Sequence, residues 1–144
     1  MALLKPNRTA QYALHAEFIF NITDTMVQTD GTTKAFNAVA PVVEPIALPP
    51  NAVVVGGDMT VETISDETGT ATIAIGDSAS ATRYLAATTL KTAARTALTL
   101  TGYRGLGENL RITIANQNGN ATVGKVSIRV NYIVSGRASE VQIT

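Results

Sequence analysis

Three stretches of the chain alternate apolar and polar side chains with period two. Residues 14–22, LHAEFIFNI, set Leu14, Ala16, Phe18, Phe20 and Ile22 on one face. His15, Glu17 and Asn21 take the other face, with Ile19 the exception. Residues 109–115, NLRITIA, put Leu110, Ile112 and Ile114 opposite Arg111 and Thr113. Residues 125–134, KVSIRVNYIV, line up Val126, Ile128, Val130, Tyr132 and Val134 against Lys125, Ser127, Arg129 and Asn131. Successive side chains of a strand point to opposite faces, so these stretches read as half-buried strands. Their β-branched residues suit a pleated surface.

Weaker strand patterns cover 34–40, 43–48, 52–64, 70–75 and 96–101. Pro45 predicts an edge strand or a bulge, because proline cannot donate to a ladder. Gly56-Gly57-Asp58 predicts a turn or bulge inside 52–64. Turn residues separate the runs at Asp30-Gly31, Pro49-Pro50-Asn51, 65–69, Gly76-Asp77-Ser78, 102–107 and 116–120. The last of these, NQNGN, reads as a hairpin loop joining the two clearest strands. One segment, 83–97, places Ala86, Leu90, Ala93, Ala94 and Ala97 at helical spacing. Its threonines oppose a helix, since β-branched side chains lose rotamer freedom there.

About eight short strands with regular turn signals define an all-β chain. The expectation is a jelly-roll-like antiparallel β-sandwich with at most one short helix, another Greek-key sandwich being the alternative. Residues 1–12, with Lys5, Pro6 and Arg8, read as an extended N-terminal arm, and residues 13–144 as a single β-sandwich domain.

Composition sharpens this picture. Charged residues make up 15 % of the chain, against about 25 % in ordinary globular domains. Mean hydropathy is +0.16. A surface so poor in charge suggests cover by other subunits, or else an Ala- and Thr-rich sheet protein. The charge is unevenly placed. Residues 1–77 hold three basic and nine acidic side chains, a balance of −6, and residues 78–144 hold eight and two, a balance of +6. Antiparallel folds interleave distant strands, so mixing of the two halves is the favoured reading.

Several chemistries are excluded or disfavoured. There is no cysteine, which removes disulfides and thiolate metal sites, and a lone His15 cannot build a multi-histidine site. No metal or other cofactor is expected. The opening MALLKPNRTAQY lacks a signal-peptide core, and no run approaches the roughly 20 apolar residues of a membrane span. The reading is a protein made in the cytoplasm, with no membrane partner. A pI near 6.6 and the absence of basic runs argue against a nucleic-acid partner. Gly76-Asp77-Ser78 also opens the nucleophile block of a large esterase family. A nucleophilic serine needs a positioned base, and His15 has no aspartate three residues before it, so a turn is favoured and no catalytic residue or enzyme activity is assigned. Asp66-Glu67 supplies too few oxygen ligands for calcium and reads as a solvated turn.

The segment GDSASATRYLAATTLKTAARTALTLTGYRGLGENLRI, continuing into NGNATVGKVSIRVNYIVSGR, resembles small structural proteins of tailed bacteriophages, in particular capsid decoration or cement proteins. The resemblance spans roughly residues 55–137 and is one of texture and phrase order rather than of a catalytic signature. It implies a homotrimer on the virion exterior that bridges neighbouring subunits of the major capsid protein. The arm residues Lys5 and Arg8 and the loop residues Arg83, Lys91, Arg95 and Arg104 are then the capsid-contact candidates. The alternative is a tail, fibre or head–tail junction component with a receptor- or glycan-binding role, for which Tyr84 and Tyr103 are the stacking candidates.

Overall fold

The computed structural model describes residues 12–136. Its strands are β1 (Leu14–Asn21), β2 (Thr25–Val27), β3 (Thr33–Ala35), β4 (Val42–Ile46), β5 (Ala52–Thr63), β6 (Ala71–Gly76), β7 (Leu85–Thr89), β8 (Arg95–Ala97), β9 (Leu110–Asn116) and β10 (Lys125–Val134). No helix occurs among the described residues.

Eight strands form two four-stranded sheets, in the orders β1-β10-β5-β8 and β4-β9-β6-β7. Every pairing is antiparallel. Setting aside the small β2–β3 hairpin, the first sheet strand pairs with the last, the second with the seventh, the third with the sixth and the fourth with the fifth. That is one long antiparallel ribbon rolled onto itself, a jelly-roll-like sandwich. Rolling the ribbon brings β10 beside β5 and β9 beside β6, which closes each sheet at its centre.

The core lies between the sheets and follows the period-two pattern. Phe20, Val126, Ile128, Val130 and Met59 of the first sheet face Ile73, Ile75, Ile112 and Ile114 of the second, all buried. Fully burying a side chain of this size contributes about 1.5–3 kcal/mol relative to leaving it exposed. Phe36, just after β3, seals one flank by stacking on Phe20 at 4.3 Å between ring centroids.

Pro45 lies where its missing N–H is tolerated. β4 is a sheet edge, and its register with β9 shifts between Val43 and Ile46. The glycine pair within β5 does not end the strand. Asn131 pairs with Gly56 and Tyr132 with Val54, so Val55 is an extra residue and β5 bulges there. Gly57 is required at its place: φ is +136°, and a Cβ would stand 2.2 Å from the Arg129 carbonyl oxygen on β10.

One open question of the sequence is answered and one expectation is corrected. Segment 83–97 is not helical but supplies β7 and β8, in different sheets; its apolar residues at helical spacing do not share a face, since Leu90 is buried while Ala86, Ala93, Ala94 and Ala97 are exposed. The NQNGN loop does not close a hairpin. β9 and β10 belong to different sheets, so the loop arches over the core from one layer to the other. Each flanking strand is the second in its sheet and already has two neighbours, β4 and β6 for β9, β1 and β5 for β10. The 34–40 and 96–101 patterns shrink to the short strands β3 and β8.

Interleaving also resolves the charge pattern. Every ion pair among the described residues joins an acid of residues 1–77 to a base of residues 78–144. The pairs are Asp77–Arg83, Asp58–Arg95, Glu44–Arg111, Glu62–Lys125, Glu17–Arg129 and Asp58–Arg129.

Candidate functional site

β6 and β9 run antiparallel between the two ends of the sandwich, and each end carries a cluster of polar loops. At the end where β6 finishes, Gly76-Asp77-Ser78 is a tight turn. The Asp77 N–H donates to the Ser80 carbonyl at 2.9 Å. The Asp77 carboxylate accepts from the N–H groups of Ala79 at 2.9 Å and Ser80 at 2.8 Å, and pairs with the Arg83 guanidinium. Gly76 has no alternative here, because a Cβ would meet the Ser80 carbonyl oxygen at 2.0 Å. Burial pushes the Asp77 carboxyl up, but the Arg83 bond and the two N–H donors outweigh it and hold it below the usual range. The aspartate is thus committed to building a turn. His15 lies in the other sheet, where Nδ1 donates to Asn131 Oδ1 at 2.7 Å. The structure therefore brings no base from that histidine to Ser78.

Arg83 links this turn to the 98–109 loop. Its guanidinium lies over the Tyr103 ring, 3.5 Å from the centroid. The Tyr103 hydroxyl donates to Glu108 at 2.9 Å, which raises the phenol's pKa. Glu108 in turn accepts from the Leu106 N–H at 2.6 Å. Backbone bonds between Asn51 and Gly105, and between Gly105 and Ala52, fasten the loop to the start of β5. So held, the loop presents exposed Leu100, Arg104 and Leu106, the last 81 % exposed. Tyr84 is buried in the core, and one face of Tyr103 is covered by Arg83. Neither is an open stacking platform for a sugar.

At the opposite end the loops 63–70 and 116–124 meet. Glu67 is only 1 % exposed. Its carboxylate accepts from the N–H groups of Gly69 and Asn118 at 3.2 Å and of Asn120 at 3.1 Å. Burial raises its pKa, yet the backbone donors prevail and lower it. Asp66 accepts from the Thr122 hydroxyl at 2.6 Å and from the N–H groups of Thr122 and Val123. The hydroxyl bond, followed by the backbone donors, draws its pKa down to about 2. The expected solvated turn is therefore a clamp: two adjacent carboxylates supply the acceptors that the arching loop lacks. Among the described residues no group of three or more acidic or histidine side chains could hold a metal ion. No local pattern signals this role, since a buried and a solvated acidic pair look alike in a glycine-flanked loop.

The six contact candidates do not form one surface. Lys5 and Arg8 lie outside the described residues. Lys91 sits at the Glu67 end, where its ammonium donates to the carbonyls of Glu67 at 2.7 Å and Gly69 at 2.9 Å. Arg95 lies on β8 and pairs with Asp58. Arg83 and Arg104 share the Asp77 end. Arg83 is ion-paired, whereas the exposed Arg104 side chain makes no hydrogen bond or ion pair among the described residues. Arg104 bridges Val53 through its backbone, close to where β10 ends, and β10 ends beside the start of β1. The described chain therefore begins at the same end as Arg104.

No protein-family model matches the sequence, and no curated protein matches it. Solved structures do match in fold. A chain of the "Cyanophage Pam1 capsid asymmetric unit" aligns with a TM-score of 0.62 at 22 % identity, over 92 % of both chains. A chain of the "Acidic stable capsid structure of Helicobacter pylori bacteriophage KHP30" gives 0.63 at 17 % identity, over 92 % of this chain and 95 % of that one. A chain of the "Capsid of Ralstonia phage GP4" gives 0.59 at 12 % identity, over 93 % and 91 %. The rolled β-sandwich described above is thus a fold shared, nearly end to end, with chains of three phage capsid structures.

Proposed function

We propose that the chain is a structural protein of a bacteriophage virion, decorating the capsid exterior and stabilising it by bridging neighbouring major capsid subunits as a trimer. The observation that carries this reading is the end-to-end likeness to chains of phage capsids, over 92 % of this chain in two of them. A likeness that leaves so little of either chain over fits a protein whose whole body is the functional unit. The low charge agrees, because a surface apposed to other subunits needs few solvated ions.

The capsid-facing end is the one that carries Leu100, Arg104 and Leu106 and at which the described chain begins. There a free cation is flanked by exposed apolar side chains on a loop already held in place, so little ordering entropy opposes contact. Many symmetric copies then turn modest contacts into firm attachment. Arg83, Lys91 and Arg95 contribute mainly by holding loops and strands. Lys5 and Arg8 remain contact candidates through the arm.

Quantitative mass spectrometry of purified virions tests the role. Copy number comparable to the major capsid protein is expected. A few copies per particle would move the chain to the tail, fibre or head–tail junction, and absence from virions would overturn the structural role.

A further inference from the structure

Of the four edges of the two large sheets, three are blunted against strand addition among the described residues. β4 carries Pro45 and a register shift. β7 is five residues long and β8 three. β1 is different: its eight residues pair one-to-one with β10 without a break, and LHAEFIFN contains no Gly, Pro or Lys. A long regular edge presents a row of backbone donors and acceptors that proteins normally cover or block. This edge also leaves Leu14 and Ile19 exposed, Ile19 by 47 %. Beside it a cleft of about 430 Å³ opens toward the β2–β3 hairpin, with Phe18, Ile19 and Phe20 on the β1 side and Thr25, Met26 and Phe36 across it.

We infer that this edge and cleft receive the C-terminal segment of a second copy of the chain, residues 139–144, as an added strand. The segment SEVQIT alternates Val141 and Ile143 with Gln142 and Thr144 and contains neither Gly nor Pro, the pattern of a strand with one buried face. Eight residues, 137–144, follow the last described position. Extended, they reach at most about 26–29 Å, enough to run along a strand of eight residues. The N-terminal segment fits less well, because Ala2-Leu3-Leu4 does not alternate and Pro6 interrupts it. The tail leaves β10 beside Leu14, with β1 standing between it and the open edge of its own copy. Pairing with a neighbour avoids the crossing over β1. Main-chain bonds along the edge would supply affinity, and Val141 and Ile143 in the cleft would supply register.

The inference does not depend on the capsid reading. Light scattering after size exclusion should give an oligomer for the full chain. Val141→Asp/Ile143→Asp and, separately, Ile19→Lys should shift it to monomer mass with an unchanged far-ultraviolet circular dichroism spectrum. A labelled peptide of residues 137–144 should bind the Val141→Asp/Ile143→Asp chain, and at least tenfold more weakly once Ile19→Lys is added. Unchanged oligomer mass in both variants would overturn the exchange and leave the proposed capsid role untouched. So would peptide binding to a wild-type chain that is monomeric at all concentrations, which would assign the tail to its own edge. Failure of the peptide to bind would also overturn it.

Discussion

Asp77→Ala is expected to cost the fold about 3 kcal/mol. The carboxylate side chain is 3 % exposed, and its loss removes the acceptor of two backbone N–H groups and the partner of Arg83. Removing one member of a buried pair costs about 3–5 kcal/mol, because the other charge is left uncompensated. Arg83 is 19 % exposed and keeps its place over Tyr103. Partial hydration and the ring therefore bring the cost to the lower end, about 3 kcal/mol. Arg83→Ala is milder, about 1.5 kcal/mol, since Asp77 retains its two backbone donors. The double variant should cost about 3 kcal/mol rather than the additive 4.5 or so, giving a coupling near 1.5 kcal/mol. Urea unfolding followed by circular dichroism at pH 7 measures all four proteins. Protein concentration must be fixed, because association adds to apparent stability. For a chain of this length Asp77→Ala should lower Tm by about 9 °C. Additive costs, or an Asp77→Ala loss below about 1 kcal/mol, would refute the turn-and-pair account.

Two further outcomes concern the opposite end. Asp66 has a folded pKa of about 2 against the ordinary aspartate value of 3.8, so its stabilising effect is fully present above pH 4 and is lost as the pH falls through 2. The amide resonances of Thr122 and Val123, followed by NMR, should titrate with a midpoint near 2; a midpoint near 4 would dissolve the clamp. Glu67→Gln removes the carboxylate that the arching loop faces and sets an amide donor among N–H donors. Hydrogen exchange at Asn118 and Asn120 should quicken at least tenfold while β6 and β10 stay protected, and an unchanged loop would show that Glu67 does not hold it.

The strands that could be read from the sequence were those whose packing is two-sided in a simple sense. β10, predicted at 125–134, forms over those residues, and β5 and β9 fall within a residue or two of expectation. One face of each meets the core, so the alternation is written in the side chains. β7 was not legible, because Thr- and Ala-rich stretches such as LAATT carry no contrast between faces, and the three-residue β2 is too short to show an alternation. Pairing was not legible either. The chain says that 109–115 and 125–134 are strands, not that they belong to different sheets. The antiparallel strand pattern pointed correctly to interleaving of the two charge halves, yet the ion pairs depend on register, which no local pattern contains. Glu67 shows the same gap at the candidate site: its burial follows from a loop about fifty residues away closing over it.

The position of β10 between β1 and β5 bears on how the protein is made. A ribosome delivers β1 and β5 long before residues 125–134 emerge, so the first sheet has flanks but no middle until synthesis is nearly complete. At the start of that interval the nascent chain carries a net −6 over residues 1–77, which falls to −2 by residue 124. Its like charges keep it hydrated and its unpaired strands apart. Lys125 and Arg129 on β10 cancel the last of the excess, so neutralisation is completed by the strand that closes the first sheet. Segregating the charge along the chain thus lets one protein be soluble while unfinished and charge-poor once folded.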